Sequence, residues 1–504
     1  MKKILSLDLG SSSVKALVMQ ENLEVVGVGS APYPTHSPAP GWVEQDPDSW
    51  WPAAKAAARQ ALDKASSPPG EIVGIGLSGH MSGLVLIDKN GRPLLPCITV
   101  FDTRTSRQSK ILQEQAGDRI RVLTGNPCVD AFMAPKLLWA KMEAPQAYNS
   151  AHKFIFPKDY LRMLLTGEIL TEPTDAGNSL FLNPTTRSWD TELFSEMGFN
   201  LRLLPEIKES CEVSGYLGRD AAFELGLTPG IPVVCGAADM ACSAIGTGIV
   251  TPGVVAITLG TSAQVVALAD APAPAGYGKI TFHPHAIPGF LYAMGSPFTG
   301  GLGLEWISKI LAGEGHASGD AIASALSEAE SAPPGCRGVI FLPFLVGAGT
   351  PYFDPRARAG FLGLATSHTR GDIIRSVLEG IAFNIYDSLK VFQEMGISIE
   401  TLNVGAGGMR SPLWRQIIAD VCNIPLRLIK TRDASAAGAA AIAMVGLGLQ
   451  SDLATLSLKI SDPTDSEIPD PEKVRLYARL YGLYERFYIS TKDVTKELTE
   501  LSLE

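Results

Sequence analysis

The sequence predicts an α/β protein built from two related halves, and three observations carry that reading. Apolar runs rich in β-branched residues alternate along the chain with alanine- and charge-bearing runs of helical spacing. Two stretches half a chain apart repeat one pattern: aligning Gly10 with Gly260 sets ILSLDLGSSSVKALVM (4–19) over VVAITLGTSAQVVALA (254–269). The length of 504 residues also exceeds what one ordinary hydrophobic core organises.

Taken in order, the first copy reads as a strand, a tight turn at Gly10 and a second strand. Residues 31–47 are rich in proline and turn formers and are expected to cross the surface to a helix over 49–65, capped near Asp48 or Ser49. EIVGIGLSG (71–79) reads as a strand. A later strand leads into Gly236-Ala237-Ala238-Asp239, and ACSAIGTGIVTPG (241–253) precedes the second copy, so the boundary is placed near residue 245. This divides the chain into 1–245 and 246–504, with a hinge at the polar, glycine-bearing junction. NVGAGGMRSPLWRQIIAD (403–420) passes from strand to helix through a glycine-rich turn. From about Asp465 a terminal helix is expected, whose Tyr477, Tyr481, Tyr484 and Phe487 are packing residues.

With 46% hydrophobic and 19% charged residues, the chain can bury large cores. A net charge of −10 argues against a nucleic-acid partner, because phosphate backbones are held by basic surfaces. Seven scattered cysteines without a C-x-x-C pair suit a reduced, cytoplasmic protein with no structural zinc. No uncharged apolar stretch reaches the roughly 18 residues of a membrane span, and the start of the chain lacks the apolar core of a secretory signal.

The repeated turns carry the chemistry. Glycine lets the backbone come close to an oxyanion, while amides and hydroxyls donate to it. Gly10, Ser11, Ser12 and Ser13 in one turn, and Gly260, Thr261 and Ser262 in the other, are therefore candidate phosphate contacts. Gly407, Gly408 and Ser411 at the third glycine-rich turn add a nucleotide-compatible site, and the three together point to ATP. One difference between the copies bears on chemistry: Asp8 is matched by Thr258. A carboxylate beside a phosphate turn repels the phosphate unless a cation lies between, so Asp8 implies Mg2+. The other reading of Asp8 is a turn acceptor of backbone amides. Lys15 reads as a solvated strand residue. The HPH run gives His283 and His285, a metal pair with no third ligand in view.

The chain resembles the FGGY carbohydrate kinases, and among them the xylulokinases, over nearly its whole length and in the family's order. DLGSSSVK (8–15) is similar to the first phosphate motif, and GWVEQDPDSWW (41–51) to the N-terminal signature. MAPKLLW (133–139) and PKDYL (157–161) resemble the middle of the family, and TLGTSA (258–263) its second phosphate motif. GFLGLATSHTRGDIIRSVLEG (360–380) resembles the C-terminal signature, and GAGGMRSPLWRQIIAD (405–420) the adenosine motif. The resemblance implies two ribonuclease H-like domains of the actin and hexokinase superfold, with the active site in the cleft between them.

It also implies roles. Asp239 is placed as the catalytic base, taking the proton of an acceptor hydroxyl; on spacing alone it reads as a helix cap. Asp8 and Asp239 are then the candidate Mg2+ ligands. The loop LSGHMSGLVLID (77–88) aligns with a sugar-contacting G-Q-M-H-G, which makes His80, Met81 and Ser82 candidate substrate residues. Asp102 and Arg104 fall where the family has W-x-D-x-R, with Val100 in place of the tryptophan; their other reading is a surface ion pair. Ala348 and Gly349 stand where relatives carry Glu-Arg. The expected activity is ATP-dependent phosphorylation of a small sugar, D-xylulose first, with ribulose or a polyol such as erythritol as alternatives and a sugar-independent, actin-like ATPase as the reading outside the class. Related kinases are often dimers, so a homodimer is expected.

Overall fold

A computed structural model describes residues 1–312, 318–405, 407–431 and 433–501. Two seven-stranded sheets follow one plan. The first runs in the order Val213–Tyr216, Pro232–Val234, Ile72–Gly79, Lys3–Leu9, Ser13–Gln20, Val25–Pro32, with Ala237–Ala238 also joined to Ile72–Gly79. The second runs Thr281–Pro284, Leu291–Gly295, Ala263–Ala269, Gly253–Leu259, Ile399–Gly405, Leu426–Ile429, Pro463–Glu467. In each, an antiparallel hairpin carries the repeated turn, and its first strand pairs in parallel with the strand on the other side.

The strand Lys3–Leu9 is buried along its entire length because both faces are covered. Side chains alternate between faces. Leu5, Leu7 and Leu9 therefore join Trp50, Ala54 and Ala58 of the helix Trp50–Lys64 in one core. Ile4 joins a different core, made with Ala436, Ala440 and Ala443 of the helix Ala434–Gly446. By the same parity Asp8 points toward that second helix, so a residue of the first repeat meets the second half of the chain.

The alanine-rich composition of Ala434–Gly446 lets it pack tightly between the sheets. It lies against the helix Asp239–Gly246, and a Cβ on Gly438 would stand 1.9 Å from the Cys242 carbonyl oxygen. The shared core unites Val234 and Ile245 of the first half with Ala256, Val266 and Leu268 of the second. Position 245 lies inside the helix Asp239–Gly246, and the chain reaches the second sheet at Gly253. A separate core around Phe154, Phe156, Phe181 and Phe194 supports the helices Ser106–Thr124 and Met133–Glu143.

Two expectations are corrected. Ser49 precedes the helix Trp50–Lys64 without a side-chain cap bond, because Pro47–Ser49 forms a 3-10 turn whose start is capped by Asp46. Residues 463–467 are an edge strand, not helix, and the terminal helix begins at Pro471. Tyr477, Tyr481 and Tyr484 of that helix are buried in a further core, built with Val255, Ile257 and Leu402 of the second sheet, and Phe487 packs at its margin. Among the described residues no helix is long and apolar enough to cross a membrane.

Candidate active site

Asp8 lies at the end of the first strand, paired in register with Ser78 of Ile72–Gly79. Its carboxylate accepts hydrogen bonds from Ser78 Oγ at 2.8 Å and from Ser435 Oγ at 2.5 Å. Burial raises its pKa, and these two hydroxyls with Lys15 pull it back. Lys15 is not merely solvated: its Nζ lies 2.6 Å from Asp433, so ion pair and hydrogen bond both cross between the halves. The turn beyond Asp8 is closed by the Gly10 amide donating to Ser13 O at 3.0 Å. Ser11 and Ser12 are exposed at its tip. From below, Tyr33 donates its hydroxyl to Gly10 O and Gln45 Nε2 donates to Ser11 O at 2.8 Å.

Asp239 opens the helix Asp239–Gly246 and is half-buried. Desolvation, then the Asp8 charge, push its carboxyl up to about 7, against backbone N–H donation from Met240, Met81 and its own amide. The Met240 amide donates to Asp239 Oδ1 at 2.8 Å, but the helix is preceded by Ala238 and has no side-chain cap bond, so the cap reading of Asp239 does not hold. The Met81 amide and the Asp8 charge both act on Asp239, so the loop after Ile72–Gly79, the strand Lys3–Leu9 and the start of the helix Asp239–Gly246 meet at one place.

His80 is buried, set edge-on to Trp50 with ring centroids 5.7 Å apart, and its Nε2 has no hydrogen-bond partner. Burial holds its pKa down at about 4, so the ring is neutral near pH 7. Ser82 takes a left-handed φ of 67°, which turns the loop sharply after Met81. Lys136 fixes that turn: its Nζ donates to Ser82 O at 3.0 Å, Ala131 O at 3.0 Å and Phe132 O at 3.2 Å. Burial lowers its pKa to about 7. Lys136 sits in the MAPKLLW segment, and a lysine amid apolar helix residues is the signal that could have singled it out.

Asp102 and Arg104 form a built pair below this loop. Asp102 is fully buried, and its oxygens accept from the Val43 amide at 2.6 Å, the Arg104 amide at 2.9 Å and the Arg104 guanidinium. Arg104 also reaches Glu44 at 2.8 Å and lies between Trp42 and Trp139, at 3.6 and 5.1 Å from their ring centroids. The ion-pair reading of these residues holds, though buried and not at the surface. Both carboxylate oxygens of Asp102 are thus engaged by the Val43 amide and Arg104.

On the second sheet, the Gly260 amide donates to Ser262 O at 2.9 Å, closing a turn whose Gly260 and Thr261 are exposed. The helix Gly301–Ala312 starts against it, with the Gly301 amide on Gly260 O at 2.7 Å and the Gly300 amide on Thr261 O at 2.9 Å. These glycines are a support that the motif reading missed. Gly407 and Gly408 lie in the 3-10 turn Gly407–Arg410, while Ala406 of the same motif lies outside the described residues. Ser411 caps Pro412–Cys422, accepting from the Trp414 amide at 3.3 Å, and Arg415 braces the turn through Met409 O at 3.0 Å.

His283 and His285 are not arranged for a metal. His283 is held by Asn178 Oδ1 at 3.0 Å and Thr281 Oγ1 at 2.8 Å, and burial lowers both histidines' pKa values. Ala348 is buried in the core that also holds Tyr477 and Tyr484, and a Cβ on Gly349 would stand 1.8 Å from Ser296 O. That space has no room for a Glu-Arg pair. Among the described residues no group of three or more His, Cys, Asp or Glu gathers as a metal site. Asp8 and Asp239 still suit Mg2+, which is commonly held by one or two carboxylates together with substrate phosphates. A cation there would relieve the repulsion that raises Asp239.

Two sheets of one plan, each ending in a phosphate-compatible hairpin and joined through a shared core, with a carboxylate pair at the junction, define a two-lobed phosphotransferase of the actin and hexokinase kind. The family model described as the FGGY family of carbohydrate kinases, N-terminal domain, matches residues 3–246, and its C-terminal domain counterpart matches 255–447. The chain is 32% identical to the xylulose kinase of Lactococcus lactis, over 100% of this chain and 99% of that one. The ligand-bound xylulose kinase of Lactobacillus acidophilus superposes with a TM-score of 0.91 at 26% identity, covering 99% and 100% of the two chains. The gluconate kinase of the same organism gives 0.90 at 26% identity, covering 97% and 98%. The chain belongs to the FGGY family of carbohydrate kinases.

Proposed function

We propose that the protein is an ATP-dependent xylulokinase that uses Mg2+ to convert D-xylulose to D-xylulose 5-phosphate in the cytoplasm. The observation that carries this is the carboxyl of Asp239, poised at about 7 beside Asp8 and the Met81 amide. A base so poised is half ionised near neutral pH, and can both orient an acceptor hydroxyl and accept its proton as the bond to phosphorus forms. The names of the curated relatives support the choice of sugar.

In this reading residues 1–245 hold the sugar, through the loop of His80, Met81 and Ser82, and residues 246–504 hold the nucleotide. His80 is neutral, and its buried Nε2 has no hydrogen-bond partner, so a sugar hydroxyl brought against this loop would supply the missing one. The amides and hydroxyls of Gly10–Ser13 and Gly260–Ser262 donate to the phosphates, and the turn of Gly407, Gly408 and Ser411 lies under the adenosine. Bound Mg2+ would neutralise charge between the phosphates and the carboxylates of Asp8 and Asp239. Approach of the two halves excludes water, which otherwise competes with the sugar as acceptor.

The test is a coupled ADP-release assay with D-xylulose, D-ribulose, erythritol and gluconate. D-Xylulose should give the highest kcat/KM. A higher value for any other acceptor overturns the substrate assignment, and ATP hydrolysis indifferent to all four overturns the kinase reading.

A further inference from the structure

The chain carrying Asp239 is suspended from a cluster of buried charged side chains that no part of the proposed chemistry uses. Lys158, Asp159, Arg162, Glu172, Thr174 and Asp175 are all fully buried. Lys158 Nζ lies 2.7 Å from Asp159, 3.2 Å from Asp175 and 3.6 Å from Glu172, and Arg162 pairs with Asp159 at 2.8 Å. Taking so many charges out of water is expensive, and hydrophobic groups of similar volume would stabilise the fold as well. The cluster's contacts with the neighbouring backbone suggest what it achieves.

Lys158 and Arg162 each donate to Cys235 O at 3.3 Å. Three residues on, the Ala238 amide donates to Thr174 Oγ1 at 2.8 Å, and Thr174 Oγ1 in turn donates to Glu172 Oε1 at 2.7 Å. Glu172 is held by the amides of Thr174 and Asp175 at 2.8 and 2.9 Å and by Ser210 Oγ at 3.0 Å. The Thr174 carbonyl accepts from Asn178 Nδ2 at 2.8 Å, and Asn178 Oδ1 meets His283 on the second sheet at 3.0 Å. A continuous path therefore runs from the second sheet to the residue immediately before Asp239.

We propose that Thr174 is a positioning residue: its hydroxyl, held by Glu172, fixes the Ala238 amide, while its carbonyl is tied through Asn178 to the second sheet, and together these set the direction in which Asp239 meets the acceptor hydroxyl. A hydroxyl is needed because it accepts from an amide and donates to a carboxylate at once. The role rests on Asp239 being the base, and the experiment separates the two.

Thr174→Val keeps the shape and removes the hydroxyl; Thr174→Ser keeps the hydroxyl. With the acceptor sugar that wild-type enzyme uses best, T174V should lose about 100-fold in kcat, the scale of a small misalignment. Its KM values for sugar and ATP should stay within about 3-fold, and T174S should keep near-wild-type kcat. Ser210→Ala removes another bond to Glu172 without touching Ala238, and should lower Tm while leaving kcat unchanged. Should T174V not fold, T174C takes its place, a thiol being a weak acceptor. Wild-type kcat in the hydroxyl-free variant overturns the role. So does an equal loss in T174S, or a kcat loss in S210A matching that of the hydroxyl-free variant, which would make the effect general softening. Failure of Asp239 as base shows instead as activity in Asp239→Asn, whatever T174V does.

Discussion

Ser435 Oγ donates to Asp8 Oδ2 at 2.5 Å across 427 positions of sequence, and this bond fastens the strand that leads into the Gly10 turn to a helix of the second half. The neighbouring Lys15–Asp433 ion pair spans the same gap at 2.6 Å but is largely exposed, and exposed pairs contribute little. The Ser435 bond is the more consequential of the two because its acceptor is buried.

Ser435→Ala tests that consequence. The lost bond is one of those that pull the raised Asp8 pKa back, so without it a proton competes better with a cation for the carboxylate. A hydrogen bond to a charged group contributes about 1.5–3 kcal/mol, so kcat at limiting Mg2+ should fall by about 10-fold or more. Raising Mg2+ should restore much of it. Tm should change little, and a rate deficit indifferent to Mg2+ would show that Asp8 acts otherwise.

Asp239 should make the reaction depend on pH. A carboxyl raised to about 7 is protonated on the acid side and cannot act as base there, whereas at higher pH it is free to accept a proton. Sugar kcat/KM should therefore fall about tenfold per unit below pH 7 and level off above it. Asp239→Asn should abolish phosphorylation and leave ATP affinity nearly unchanged, measured by calorimetry. An unchanged acid limb in wild-type enzyme at pH 5.5 would mean that another group limits the rate.

Much of this was legible in the sequence because it depends on local pattern. The repeat about Gly10 and Gly260 located both hairpins, since a period-2 apolar run broken by glycine and small hydroxyl residues has few other folds. Contacts made at long range were not legible. Ser435 and Lys136 find their partners only when helices dock, and Asp102 reads as a sugar acceptor until the Val43 amide and Arg104 close around it. Residues 463–467, PTDSE, carry no strand pattern because an exposed edge strand needs no apolar face.

Lys136 should govern the sugar side alone. Its ammonium satisfies three carbonyls, including that of Ser82, whose left-handed backbone needs outside support. Lys136→Met fills the space but leaves those carbonyls unpaired, so the loop of His80 and Met81 should relax. The expected result is a sugar KM raised about 10-fold or more with the ATP KM little altered. An equal rise in both would mean that the lysine holds up the whole fold.

Asp102 separates support from contact most sharply. If the carboxylate exists to hold Arg104 between Trp42 and Trp139, then Asp102→Asn leaves a buried guanidinium short of its counter-charge, and breaking a buried pair costs about 3–5 kcal/mol. Glu44 remains 2.8 Å from Arg104 and should soften the loss toward the lower end. The variant should accordingly show a large fall in Tm, with sugar KM rising only as far as the loosened loop requires, and lowering the assay temperature should recover most of its kcat. Were Asp102 a direct acceptor of sugar hydroxyls, the pattern would reverse: Tm would hold, KM would rise by the 1.5–3 kcal/mol or so of a charged hydrogen bond, and cooling would recover nothing.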